Sequence, residues 1–266
     1  MRKISREAAF ALVGILVLLL AIFLYFSPHN SAKTVSVTPT VSLTPAPTSI
    51  VTPVLREELA AHDVIRVMPL GDSITAGVGS SDWGGYRDLL WEKIRESKWN
   101  IQFVGSEQDG PATLTDRANE GHPGWRIDQI SDKIEPWLQA THPQIILLHI
   151  GTNDIIQGAS PAVAATRLTM LLKQITTFSP AAVVLVAQII PLGYPSLNKI
   201  VVAYDRMIPN IVRSMDIMGK HIMPVDMYNV VPVSDLRDHI HPDNGGYALI
   251  ANAWYQALSS SILTTH

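Results

Sequence analysis

Four short segments carry side chains that could do chemistry together. GDSIT (71–75) offers a serine hydroxyl at Ser73, and NEGHPGW (119–125) offers a glycine N–H at Gly124. GTND (151–154) offers the side-chain amide of Asn153, and SDLRDHIHP (234–242) offers the carboxylate of Asp238 with two histidines, His239 and His241. Acyl transfer needs this inventory: a nucleophile, a base, a group that orients the base, and N–H donors for the developing oxyanion. Ser73 would attack, its own backbone N–H aimed into the same site by a strand-to-helix turn. A histidine of 239–241 would take the proton, with Asp238 fixing its tautomer. The Gly124 N–H and the Asn153 amide would join the Ser73 N–H in the oxyanion hole, the glycine allowing close backbone approach because it has no Cβ. His239 and His241 could instead chelate a metal, but no further ligand stands at a recognisable spacing.

These groups lie far apart in the chain, so a scaffold must converge them. Short apolar runs, VIRVMPL (64–70), IQFVG (101–105), IILLHIG (145–151), VVLVAQI (183–189) and HIMPVDM (221–227), alternate with longer amphipathic stretches. Helices are expected at about 84–97, 127–140, 160–178, 197–218 and 244–262. Near-continuous apolar strands separated by helices predict a parallel sheet covered on both faces. In such α/β folds ligands sit beyond the carboxyl ends of the strands. Ser73, Asn153 and the 234–242 segment all follow such ends.

GDSIT, the glycine of GHPGW, GTND and DHIHP together resemble the four blocks of the SGNH hydrolases, the GDSL-type esterase/lipase superfamily, over about residues 64–262. The resemblance implies a three-layer α/β/α sandwich with a five-stranded parallel, flavodoxin-like sheet. It implies Ser73 as nucleophile, Gly124 and Asn153 as oxyanion donors, and Asp238 with His241 as the rest of the triad. The family's aspartate stands three residues before its base, and proline follows the base. His241-Pro242 fits that pattern and His239 does not; a one-residue spacing also makes it hard for the Asp238 carboxylate to reach the His239 ring. The NEGHPGW form is similar to carbohydrate esterases of the acetylxylan-esterase type. No cofactor or metal is implied, and the expected partner is an ester substrate, small or polysaccharide.

Other residues have plainer readings. Asp72 and Asp154 are expected to bond nearby backbone. His149, inside an apolar strand, reads as a satisfied core histidine. His122 could equally touch substrate or pack in its loop. Trp83, Tyr86, Trp125 and Tyr194 are candidate stacking surfaces for a sugar. There is no G-x-S-x-G elbow, P-loop or G-x-G-x-x-G, which argues against a standard α/β-hydrolase or a nucleotide enzyme. An inactive carbohydrate-binding module would not need the full set of Ser73, Gly124, Asn153, Asp238 and His241.

The N-terminal part reads differently. Residues 1–7 include Arg2, Lys3 and Arg6, and residues 8–26 carry no charge. That run suits a bilayer-spanning helix, about 20 residues, better than the shorter core of a cleaved signal. The expected topology is a cytoplasmic N-terminus with the remainder outside, at the cell membrane; secretion after cleavage is the alternative. Residues 27–54, with Thr-Pro at 38–39, 44–45 and 52–53, read as an extended linker to a domain at 55–266. Absence of cysteine excludes disulfide scaffolds and thiol chemistry. Four of the 20 basic and one of the 23 acidic residues lie in 1–33, so the remainder carries a net charge of −6. That balance argues against nucleic acid as a partner.

Overall fold

A computed structural model of the chain describes residues 64–263. The expected segments 1–7, 8–26 and 27–54 lie outside the described residues. No helix among those described is long and apolar enough to cross a membrane.

The central strand is β1 (Ile65–Gly71). It pairs in parallel with β2 (Ile101–Phe103) and the two-residue β3 (Glu120–Gly121) along one edge, and with β4 (Ile145–His149) along the other. β5 (Val183–Ala187) and β6 (Ile222–Val225) extend the sheet, giving the order β2-β1-β4-β5-β6. The architecture is the expected α/β sandwich, with the β2 edge divided between two short strands. Proline explains that division. Odd residues of β1 turn their backbone groups toward β2 and β3: Val67 O accepts from Val104 N–H, and Gly71 O accepts from His122 N–H. Pro69 lies between them, and its missing N–H faces the gap where neither short strand pairs. A proline in a central strand is otherwise excluded. Pro224 is tolerated in β6 for a related reason, since β6 is the sheet's edge and its odd residues make the bonds to β5.

Alternation along the strands feeds two cores. Met68, Leu70, Ile146, Leu148, Val184 and Val186 face one helical layer; Val67, Leu147, Val183 and Leu185 face the other. After β1 come α1 (Ser73–Ala76) and α2 (Gly85–Glu96), and between β3 and β4 lie α3 (Ile127–Ser131) and α4 (Ile134–Thr141). β4 is followed by α5 (Thr152–Ile156) and α6 (Pro161–Phe178), β5 by α7 (Pro195–Asp205) and α8 (Ile208–Asp216), and the chain closes in α9 (Asn244–Leu263). The expected helices at 127–140 and 197–218 are each two helices. Pro136 and Pro209 are the cause: each lacks an N–H and crowds the carbonyl four residues earlier, at Asp132 and Asp205, where the preceding helix stops. In the second core, Trp254 is fully buried and its indole N–H has no partner among the described residues. Burying such a ring contributes on the order of 5 kcal/mol, which outweighs about 1–3 kcal/mol for the lost hydrogen bond.

Asp205 ties α7 to the loop after β5. Its Oδ1 accepts from Ile189 N–H at 2.9 Å, while Oδ2 has no partner among the described residues. Burial pushes its pKa up from 3.8 to about 8. A raised carboxyl pKa means the folded state holds the proton more tightly than the unfolded state. Its stability contribution is therefore full below about pH 4 and is lost as pH rises toward 8. Urea denaturation at pH 5 and pH 9 is expected to show a smaller loss for Asp205→Asn than for the wild type. Equal losses would mean that Asp205 does not titrate in this window.

Candidate active site

The site lies at the topological switch point, between the carboxyl ends of β1 and β4. β1 ends at Gly71, where an added Cβ would lie 2.2 Å from His149 O and 2.5 Å from Thr75 Oγ1. Asp72 then caps α1, its Oδ1 accepting from Ile74 N–H at 3.0 Å. The cap turns the chain so that Ser73 opens the helix, its backbone N–H needing no intrahelical partner. Asp72 is fully buried, and burial raises its pKa from 3.8 to about 6 against the Ile74 hydrogen bond and the His241 charge. As expected, Asp72 serves the backbone.

Residues 236–242 form a closed loop, with Leu236 bridged to Pro242 and Arg237 N–H donating to His241 O at 2.8 Å. Asp238 folds back into it. Its Oδ1 accepts from the N–H groups of Ile240 (3.1 Å) and His241 (2.8 Å), and its Oδ2 lies 2.8 Å from His241 Nδ1. His241 Nε2 lies 2.8 Å from Ser73 Oγ, across 168 residues of chain. Burial acts to raise the Asp238 pKa, but the bonds from His241 N–H, the His241 ring and Ile240 N–H together hold it below the usual carboxylate value. Of the two histidines, it is His241 that lies between Asp238 and Ser73. His239 adopts a left-handed φ of +69°. Its ring lies over Gly193, where an added Cβ would sit 2.6 Å from His239 Nδ1, and 5.2 Å from the Tyr194 ring. Both ring nitrogens of His241 are engaged with Asp238 and Ser73 while His239 packs elsewhere, so the two do not converge as a metal-binding pair.

HPGW (122–125) is a type II turn. Trp125 N–H donates to His122 O at 3.1 Å, Pro123 occupies the second position, and Gly124 has φ +81°. His122 N–H, bonded to Gly71 O at 3.0 Å, sets the turn beside the end of β1. Nothing lies within 4 Å of a Cβ added at Gly124. Within the fold the positive φ is what favours glycine here. Asn153, on α5, donates from Nδ2 to Trp125 O at 3.0 Å. Asp154 beside it accepts from Ile127 N–H (2.9 Å) and from Arg167 Nη1 (2.7 Å), a structural role as expected. Ser73, the Gly124 turn and Asn153 are thereby linked around one spot.

The remaining candidates separate. His122 is buried between Trp125 and Trp137, at centroid distances of 4.4 and 4.7 Å, with Nε2 3.0 Å from the buried Glu120 carboxylate. Packing, not substrate contact, accounts for it. Trp125 keeps one partly exposed side. Trp83 and Tyr194 are 49% and 42% exposed and can present a ring to a ligand. Tyr86 cannot, being fully buried. His149 is a core histidine but not a satisfied one: neither ring nitrogen has a partner among the described residues, and burial lowers its pKa to about 4.

One residue absent from the sequence expectations shapes the site. Arg87 is wholly buried and makes five bonds of 2.9–3.1 Å to the carbonyls of Thr75, Ala76, Trp83, Asp109 and Arg117. It fastens the segment after Ser73 to the loop at 109–117. In the sequence it sits beside Asp88 in a charged helix, with no local sign of its burial.

Comparison with known proteins identifies the family. The model of the GDSL-like lipase/acylhydrolase family matches residues 70–249. A multidomain esterase of Ruminococcus flavefaciens is 29% identical over 227 residues, 75% of this chain; the chain spans only 29% of that relative's length. A family 3 carbohydrate esterase of Clostridium thermocellum superposes with a TM-score of 0.67 at 34% identity, covering 73% of this chain and 94% of that one. A family 3 carbohydrate esterase of Talaromyces cellulolyticus gives a TM-score of 0.67 at 28% identity, covering 75% and 99%. With the family's model matched over most of the described domain, the chain belongs to the GDSL-like lipase/acylhydrolase family.

Proposed function

We propose that this domain is a serine esterase that removes short acyl groups, foremost acetyl, from a polysaccharide. The observation that carries the reading is the continuous chain Asp238 Oδ2, His241, Ser73 Oγ, with both links at 2.8 Å. In the proposed cycle Ser73 Oγ attacks the ester carbonyl and passes its proton to His241 Nε2. Asp238 remains ionised, holds the ring by Nδ1 and stabilises the imidazolium. The Ser73 N–H, the Gly124 N–H and Asn153 Nδ2 receive the oxyanion. The tetrahedral species collapses, the C–O bond to the alcohol breaks, and His241 returns the proton to the leaving oxygen. Water, deprotonated by the same histidine, then attacks the acyl carbonyl; the C–O bond to Ser73 breaks, His241 returns the proton to Ser73 Oγ, and the acid leaves. These steps balance without a cofactor.

The polysaccharide substrate rests on the carbohydrate esterases among the similar structures and on the two exposed rings, Trp83 and Tyr194. We further propose that residues 8–26 tether the domain to the outer face of the cell membrane, from their length and lack of charge. A lipase or thioesterase acting on longer chains is the competing reading. Hydrolysis of a chain-length series of p-nitrophenyl esters, beside acetate release from acetylated xylan, discriminates the two. Acetate is expected to be the fastest ester, and Ser73→Ala is expected to lose it. A maximum at eight carbons or more, with no acetate from xylan, would reject the carbohydrate substrate. Activity surviving Ser73→Ala would reject the mechanism.

A further inference from the structure

Asn153 and Gln157 stand four residues apart at α5 and its C-terminal cap, so their side chains share one side of the helix. They grip consecutive carbonyls. Asn153 Nδ2 donates to Trp125 O at 3.0 Å, and Gln157 Nε2 donates to Gly124 O at 3.1 Å. The far end of the Gln157 amide is also held, with Oε1 accepting from Arg126 Nη1 at 2.7 Å. Arg126 is anchored in turn, its Nε and Nη2 forked onto Asp128 at 2.9 and 3.1 Å. A carbonyl at one end and a guanidinium at the other fix which amide atom is the donor.

The Gly124 peptide depends on such a grip. Glycine restrains its own dihedrals least of all residues, and no atom of the described residues packs where its side chain would be. Peptide planes are rigid. Holding Gly124 O fixes the plane after Gly124, and the Asn153 bond fixes the next one. Only φ and ψ of Gly124 then separate the held plane from the one that carries its N–H. A donor helps a transition state only when aligned within about 0.5 Å and 10–20°.

We propose that Gln157 is a positioning residue for the oxyanion hole, acting through the Gly124 carbonyl to aim the Gly124 N–H. The inference rests on the esterase reading, with Ser73 as nucleophile. Two substitutions separate positioning from ordinary support. Gln157→Met keeps the length and removes both polar ends. Gln157→Glu keeps an acceptor for Arg126, strengthening that link with charge, and removes only the donor to Gly124 O. A purely structural role predicts Gln157→Glu to equal the wild type. The positioning role predicts that both variants keep KM and melting temperature while kcat falls roughly tenfold, a fraction of the 10²–10³ for losing an oxyanion donor outright. Inactivation by a p-nitrophenyl phosphonate, whose attack at phosphorus by Ser73 Oγ expels p-nitrophenolate and builds a similar anion, is expected to slow by a similar factor. Wild-type kcat and inactivation rate in Gln157→Glu, with Ser73→Ala inert, would overturn the inference and leave the esterase reading standing. Undiminished turnover by Ser73→Ala would overturn both.

Discussion

His241→Ala is expected to lower kcat for a short p-nitrophenyl ester by a factor on the order of 10³–10⁶, the loss that follows removal of a triad member. His239→Ala is expected to stay within about tenfold, the worth of a rim contact of around 1.4 kcal/mol. The contrast follows from geometry. His241 lies between Ser73 Oγ and Asp238 Oδ2, whereas His239 rests on Gly193 and Tyr194. Ser73→Ala should match His241→Ala, and the double variant should be no worse, because the two groups act as one unit. Asp238→Asn should be impaired but less severely, since an asparagine Oδ1 can still accept from the N–H groups of Ile240 and His241 and so preserve the loop. The measurement is kcat/KM for these variants, with circular dichroism to verify folding. A dead His239→Ala beside an active His241→Ala would refute the assignment.

Arg87→Met is expected to destabilise the domain by about 3–5 kcal/mol, because removing the guanidinium leaves carbonyls without their donor in a buried place. For a domain of this size that corresponds to a fall in melting temperature of roughly 6–20 °C. Arg87→Lys should recover little. An ammonium has three donors on a point and cannot span the five carbonyls that the planar fork reaches. Because Thr75 and Ala76 directly follow the nucleophile, activity is expected to fall below the transition temperature as well. An unchanged melting curve for Arg87→Met would show that water or neighbouring groups replace the clamp.

Much of the site was legible because its signals are local. Gly71-Asp72-Ser73 is a strand end followed by a helix cap, HPGW is a type II turn, and the spacing of Asp238 and His241 suits a carboxylate that bonds the histidine's own N–H and ring. Each is set by interactions spanning two to three residues. The alternating apolar runs likewise announced a two-faced parallel sheet. The helix divisions at Pro136 and Pro209 were also written in the chain, although the amphipathic pattern runs on across each proline. Other features had no local signature. The burial of Arg87 depends on carbonyls up to 30 residues away, the grip of Gln157 on a turn 33 residues earlier, and the stacking of His122 on Trp137 of α4.

The sequence by itself therefore determined the fold class and the local form of the nucleophile segment, since periodicity, caps and turns are short-range physics, while the membership of the constellation came from the resemblance of its four blocks. Only the tertiary structure decided which aromatic rings reach solvent, how Arg87 is buried, and which groups hold the Gly124 turn. Those outcomes depend on groups brought together across as many as 33 residues, and burial and alignment at such contacts exist only once the sheet has assembled.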